Sequence, residues 1–246
     1  MTSTVTWDEY AAAWSRLHGG FDPSGASGLV RGWLRLTYRI GSWLAARGVG
    51  PMAVTTGGLL LCLAVPLVVL LDPPSYGPFL AAPSIAGSSV AGSSLYDPLA
   101  AGPLLAASVV LAAALADGLD GAVAVLTGRA TRVGYVYDSV ADRVGELAWL
   151  AAFWLAGAPG WAVVAAGAAS WLQEYARSRA TAAGMTEIGV VTISERPTRV
   201  LITIFGLLLT AVLPWAPLAA VLVWSALTTV GLTQLTVTIR RNLTDG

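Results

Sequence analysis

Residues 115–142 read Leu-Ala-Asp-Gly-Leu-Asp-Gly-Ala-Val-Ala-Val-Leu-Thr-Gly-Arg-Ala-Thr-Arg-Val-Gly-Tyr-Val-Tyr-Asp-Ser-Val-Ala-Asp, with four aspartates set in otherwise apolar sequence. Asp117 and Asp120 are spaced i, i+3 and Asp138 and Asp142 i, i+4, so each pair projects from one face of a helix. If these helices lie in lipid, each acid costs at least about 2.5–3.5 kcal/mol at a helix centre, and four do not persist without partners or metals. Two facing pairs make a four-carboxylate cage. All-oxygen donors suit Mg²⁺ or Mn²⁺, and Ca²⁺ less well. Four negative charges neutralise two divalent ions, the arrangement that clamps a phosphoryl group during in-line displacement. The small residues Gly118, Gly121, Ala122 and Ala124 let a neighbouring backbone or a flat ligand come close.

Working outward, the 246 residues are 56% hydrophobic and only 11% charged, which points to lipid as the solvent. Apolar stretches at 51–71, 103–126, 133–155, 160–176, 198–213 and 217–239 approach the roughly 20 residues that a transmembrane helix needs. The expected fold is an all-α polytopic membrane bundle of about six transmembrane helices, five or seven also being compatible with hydropathy. The chain has no lysine. Arg143 lies within the third stretch; the other arginines precede the first stretch, follow the last, or lie between the second and third or from the end of the fourth to the start of the fifth. By the positive-inside rule both termini and these loops face the cytoplasm of a cell membrane.

Residues 1–49 read as a cytoplasmic N-terminal segment and 50–241 as the transmembrane domain. Glycine-rich residues 19–28 break the N-terminal segment. Beyond the break, Arg31, Arg35 and Arg39 stack on one helical face with Val30, Trp33, Leu36, Ile40, Trp43 and Leu44 largely elsewhere. That pattern suits an amphipathic juxtamembrane helix lying on the membrane surface, or one docked on the membrane domain. Residues 72–102, rich in Pro, Ser and Gly, read as an outer loop with no assigned chemistry. The single Cys62 and single His18 give no disulfide framework and no basis for a zinc site. No cleavable signal segment is expected.

The aspartate spacing resembles the signature of the CDP-alcohol phosphatidyltransferase family: Asp, two residues, Asp-Gly, two residues, Ala-Arg, eight residues, Gly, three residues, Asp, three residues, Asp. Here Asp117, Asp120-Gly121, Ala124, Gly134, Asp138 and Asp142 match, and Val125 replaces the arginine. Pro51-Met-Ala-Val-Thr55 resembles the family's Pro-Asn-x-x-Thr segment except at Met52. The segments 175–184 and 194–199 look like the arginine-bearing segments of the bacterial phosphatidylinositol-phosphate-synthase-like branch.

The resemblance implies a membrane phospholipid-synthesis enzyme that moves a phosphatidyl group from CDP-diacylglycerol to a small alcohol and releases CMP. It implies that Asp117, Asp120, Asp138 and Asp142 hold two Mg²⁺ or Mn²⁺ ions. Asp142 would also act as base, while Thr55, Gly121, Ala124 and Thr131 border the CDP-lipid. Arg129, four residues beyond Val125, is the expected substitute for the missing charge if the helix continues through Gly128. Arg177, Arg179, Arg196 and Arg199 are expected to bind an acceptor phosphate, since guanidinium forks match phosphate oxygens. Anchoring to anionic lipid is their alternative role. Inositol phosphate leads as acceptor, ahead of glycerol 3-phosphate or another alcohol. Membrane lipid is a partner, nucleic acid is not, and a homodimer is left open. A transporter using the acids as a relay, or a silent scaffold, are the rival classes. Neither accounts for paired carboxylates with interleaved glycines and nearby arginines.

Overall fold

The computed structural model describes residues 5–17, 25–72, 101–185 and 192–244. His18, residues 19–24 of the expected loop at 19–28 and residues 73–100 of that at 72–102 lie outside them. Among the described residues the chain is helical without strands: α1 (Trp7–Leu17), α2 (Gly28–Ala46), α3 (Pro51–Leu71), α4 (Ala101–Thr127), α5 (Arg132–Leu155), α6 (Gly160–Ala182), α7 (Arg196–Thr210) and α8 (Ala216–Thr244). Helices α3 to α8 fall on the six apolar stretches. By length and composition alone, α3, α4 and α8 can cross a membrane. α5 carries Asp138, Asp142, Arg143 and Glu146, and α6 carries Glu174, Arg177 and Arg179. α7 has only 15 residues. These three depend on bundle partners to hold their polar groups.

Local chemistry fixes the ends that flank the aspartates. α4 stops in a Schellman turn, with the Arg129 N–H on the Ala124 carbonyl (3.0 Å) and the Gly128 N–H on that of Val125 (3.3 Å). Gly128 has φ of 64°, where a Cβ would be strained. α5 then begins at once, its first turn capped by the Thr131 hydroxyl, which accepts the Gly134 N–H at 3.0 Å. Two paired acids thus sit on consecutive helices joined by a minimal turn.

The chain forms two compact units, Met1–Leu60 with Ala112–Asp142, and Leu61–Leu111 with Arg143–Gly246. In the first, α2 packs on α4 through the buried stripe Leu34, Thr37 and Gly41. A Cβ on Gly41 would stand 3.2 Å from both the Ala122 Cβ and the Leu126 Cδ1. Arg31, Arg35 and Arg39 form a separate exposed face. Trp33, Leu36 and Trp43 are exposed on a third. The helix is docked on α4, as the second of the two expected readings has it, and keeps an amphipathic pattern.

In the second unit, α6 and α7 both pack on α8. Lipid supplies no hydrophobic drive between helices, so close contact and hydrogen bonds hold them together. Gly206 gives a close approach, where a Cβ would meet the Ala220 Cβ at 2.7 Å and Phe153 Cζ at 2.8 Å. The buried Trp224 donates its indole N–H to the Ser170 hydroxyl at 2.8 Å. Cys62 is buried, with its Sγ 2.9 Å from where a Gly145 Cβ would be.

Candidate active site

Asp117 comes from α4 and Asp138 and Asp142 from α5, and one carboxylate oxygen of each lies within 4.8 Å of the other two. A divalent cation reaching about 2.0–2.6 Å to each oxygen spans such a gap, and the donor set is entirely hard oxygen. The helical spacing explains the convergence: Asp138 and Asp142 are one turn apart on α5, facing Asp117. Asp120, expected as the fourth member, is drawn to a different partner. It is buried, and its Oδ2 accepts the Thr55 hydroxyl of α3 at 2.6 Å. The charges of Asp138 and Asp117 still act on it.

The residues expected around a nucleotide sort into distinct places. Thr55 lies between the Pro51 carbonyl (3.1 Å) and Asp120. Its single proton favours the shorter, charge-assisted contact, so the hydroxyl orients Asp120. A Cβ at Gly121 would meet nothing within 4 Å, leaving open space on that side of the aspartate turn. Ala124 is half-buried. Thr131 spends its hydroxyl on capping α5. Arg129 is a correction: because α4 ends at Thr127 and reverses at Gly128, the continuous helix that would stack Arg129 over Val125 does not form. Arg129 is exposed beyond the turn.

One contact escaped the sequence reading. Thr56 and Tyr137, which precedes Asp138, share a hydrogen bond of 2.8 Å that ties α3 to α5 beside the acids. Thr56 follows Thr55, but nothing in the sequence pairs it with a tyrosine 81 residues away.

The second unit holds the four expected acceptor arginines. Arg199 is 0% exposed and meets Glu146, itself 1% exposed, with Nη1 at 2.9 and 3.0 Å from the two carboxylate oxygens. Its Nη2 reaches Gln173 Oε1 at 3.4 Å. So enclosed, Arg199 departs from the expected role, since it offers no accessible face to an incoming phosphate. Arg177 donates a fork to Glu195 (2.6 and 3.1 Å) and lies 3.7 Å from Glu174. Burial pushes the Glu195 carboxyl up, but hydrogen bonds from Arg177 and Thr192 outweigh it and hold the group below its ordinary value. Arg143 links Glu146 (3.0 Å) to Glu174 (3.1 Å), completing a chain of alternating charge. Glu146, one turn beyond Asp142 in sequence, pairs with both Arg143 and Arg199. Arg179 is exposed, and the Arg196 guanidinium stands 5.6 Å from the centre of the Trp149 ring.

With an oxygen cluster on two apolar helices in view, the comparison with known proteins is decisive: residues 50–232 match the CDP-alcohol phosphatidyltransferase family. This chain belongs to that family. The enzyme is similar to the archaetidylinositol phosphate synthase of Pyrococcus horikoshii, at 29% identity over 188 residues covering 76% of this chain and 84% of the relative. It is 38% identical over 112 residues to the phosphatidylinositol phosphate synthase of Mycolicibacterium smegmatis, covering 42% of this chain and 49% of that one. The fold resembles that of Mycobacterium tuberculosis phosphatidylinositol phosphate synthase solved with CDP-DAG bound, with a TM-score of 0.63 and 23% identity. That likeness covers 84% of this chain and 94% of the other. A structure of the same synthase with manganese and citrate gives a TM-score of 0.62 at 23% identity, covering 82% and 88%. Transfer of a phosphatidyl group from a CDP-linked lipid with release of CMP is therefore the activity of this membrane phosphatidyltransferase.

Proposed function

We propose that the enzyme transfers the phosphatidyl group of CDP-diacylglycerol to inositol phosphate, using a two-metal site of Asp117, Asp120, Asp138 and Asp142 that faces the cytoplasm from the cell membrane. Helices α3 to α8 are read as its six transmembrane spans. The observation that carries the proposal is the convergence of Asp117, Asp138 and Asp142 carboxylates within 4.8 Å. Asp120 is the fourth ligand in this reading, with Thr55 setting the direction of its carboxylate. Bound Mg²⁺ or Mn²⁺ supplies charge neutralisation at the pyrophosphate oxygens.

This chain's residues do the rest. The open space at Gly121 admits the cytidine diphosphate beside the aspartates. Asp142 takes the proton from the acceptor hydroxyl, whose oxygen forms a bond to the lipid-linked phosphorus as the bond to CMP breaks. Arg179 and Arg196 are the arginines assigned to the acceptor phosphate, whose oxygens guanidinium forks match, while Arg199 is enclosed beside Glu146. Both curated relatives are named as synthases of inositol phosphate lipids, which supports inositol phosphate as acceptor.

The test is CMP release by the purified enzyme with CDP-diacylglycerol and a panel of inositol phosphate, inositol, glycerol 3-phosphate and serine. Turnover highest with inositol phosphate supports the proposal. Turnover highest with glycerol 3-phosphate replaces the acceptor, and turnover undiminished in excess chelator removes the metal site.

A further inference from the structure

Helices α1 and α2 precede the residues that match the family, yet they belong to the same compact unit as the aspartate turn of α4. The contact between them is direct. A Cβ at Gly118, the neighbour of Asp117, would stand 3.0 Å from Trp33 Cζ2, 3.2 Å from its Nε1 and 3.3 Å from Thr37 Cγ2. The indole edge of α2 therefore rests on the α4 backbone between the two aspartates, where only glycine leaves room. Gly41 repeats the close approach two turns along α2, against Ala122 and Leu126.

α2 is braced in turn by α1. Tyr10 is 1% exposed, and its ring lies 5.2 Å from that of Tyr38 and 5.9 Å from that of Trp7. The Tyr38 hydroxyl donates to the Val5 carbonyl at 2.9 Å. From α3, a Cβ at Gly58 would stand 3.1 Å from the Ala116 Cβ, and Thr55 holds Asp120. The turn carrying Asp117 and Asp120 is thus fixed by α3 through one set of contacts and by α2 through another.

We propose that α1 and α2 form a clasp that sets the Asp117 to Asp120 turn, with Trp33 as its positioning residue for the transfer reaction. Trp33 touches the backbone that carries the acids, and its packing sets how well they hold a cation. The inference rests on the metal reading of those acids. It adds that residues ahead of the matched stretch are part of the catalytic apparatus.

The experiment follows, for full-length protein, Mn²⁺ uptake by electron paramagnetic resonance without substrate and CMP release as a function of Mn²⁺ concentration, the two expected to shift together. Trp33→Ala is expected to raise the half-activating Mn²⁺ concentration about 10-fold, the scale on which groups supporting a ligand act. Trp33→Phe, which keeps an aromatic edge, should recover most of it, and the KM for the acceptor should move little. Gly118→Ala attacks the same contact from α4 and should give the same defect. Shortening the opposing side chain in Gly118→Ala/Trp33→Leu should then relieve it, a result that general loss of folding cannot produce. Trp43→Ala, at an exposed tryptophan of the same helix, should match wild type. Wild-type Mn²⁺ dependence in both Trp33→Ala and Gly118→Ala would overturn the clasp alone. So would a double variant no better than Gly118→Ala. Wild-type release indifferent to Mn²⁺ and to chelator would overturn the metal reading as well.

Discussion

In the second unit Glu146 meets Arg143 and Arg199, Glu174 meets Arg143 and Glu195 meets Arg177; in the first, Asp117, Asp138 and Asp142 gather with one another. Both groups lie on or at the ends of helices of one membrane protein, where charge held away from water is costly. The glutamates are matched by guanidinium groups from the chain itself, so that network stabilises structure without a ligand. The aspartates bring three carboxylates within 4.8 Å of one another, an all-oxygen donor set that suits divalent cations. Within one fold, ion-paired glutamates and a cluster of hard oxygen donors distinguish a part suited to rigidity from one suited to chemistry.

The comparison breaks most visibly if the two groups respond alike to mutation. Asp117→Ala or Asp138→Ala is expected to lower CMP release by about 10³-fold, the kinetic equivalent of several kcal/mol of lost charge stabilisation. Thermal stability without metal should hold or rise, because a like charge has been removed. An alanine variant with wild-type turnover would break the reading.

The glutamate network should show the reverse. Arg199→Ala leaves Glu146 buried without its closest cation and is expected to cost about 3–5 kcal/mol, read by denaturation of the purified protein in micelles. Glu146→Leu/Arg199→Met, which removes both charges, should recover most of that stability. If the double replacement is worse than Arg199→Ala, the network does more than balance charge.

A smaller effect sharpens the division among the arginines. Arg179→Ala and Arg196→Ala are each expected to raise the acceptor KM about 10-fold, as expected for loss of a charge-assisted hydrogen bond, with CDP-lipid binding little changed. Arg177→Ala should instead lower the melting temperature. Equal KM effects at all four arginines would restore the simpler expectation from sequence.

The smallest expected effect is in pH. Glu195 has its folded value below its ordinary 4.5, so its contribution to stability is full above 4.5 and is lost as pH falls through the folded value. Melting temperature should therefore drop below that range, and Glu195→Gln should flatten this part of the profile. An unchanged profile would show that the Arg177 pairing contributes little.

What the sequence made legible follows from periodicity and price. The i, i+3 and i, i+4 aspartates, each costly in lipid, announced a site on two helices, and Asp117, Asp138 and Asp142 converge there. The six apolar stretches all became helices. Partner choice was less visible, because it depends on tertiary contact. Thr55 turns to Asp120, and Arg199 turns inward to a glutamate 53 residues away. The Arg129 expectation failed locally: Gly128 could continue a helix or end one, and the Schellman turn selected the second. In the sequence Trp33 was one apolar position of an amphipathic helix, and only the α2 to α4 packing reveals its seat on Gly118.

The most direct test of the contrast is Mn²⁺ binding itself, measured by electron paramagnetic resonance on the purified enzyme. Wild type is predicted to take up Mn²⁺ saturably and release it to Mg²⁺ or chelator, with uptake weakened in Asp117→Asn and Asp138→Asn but retained in Glu174→Gln. Wild type that leaves Mn²⁺ free in solution at activating concentrations, or uptake lost with Glu174→Gln and kept in both aspartate variants, would contradict the account.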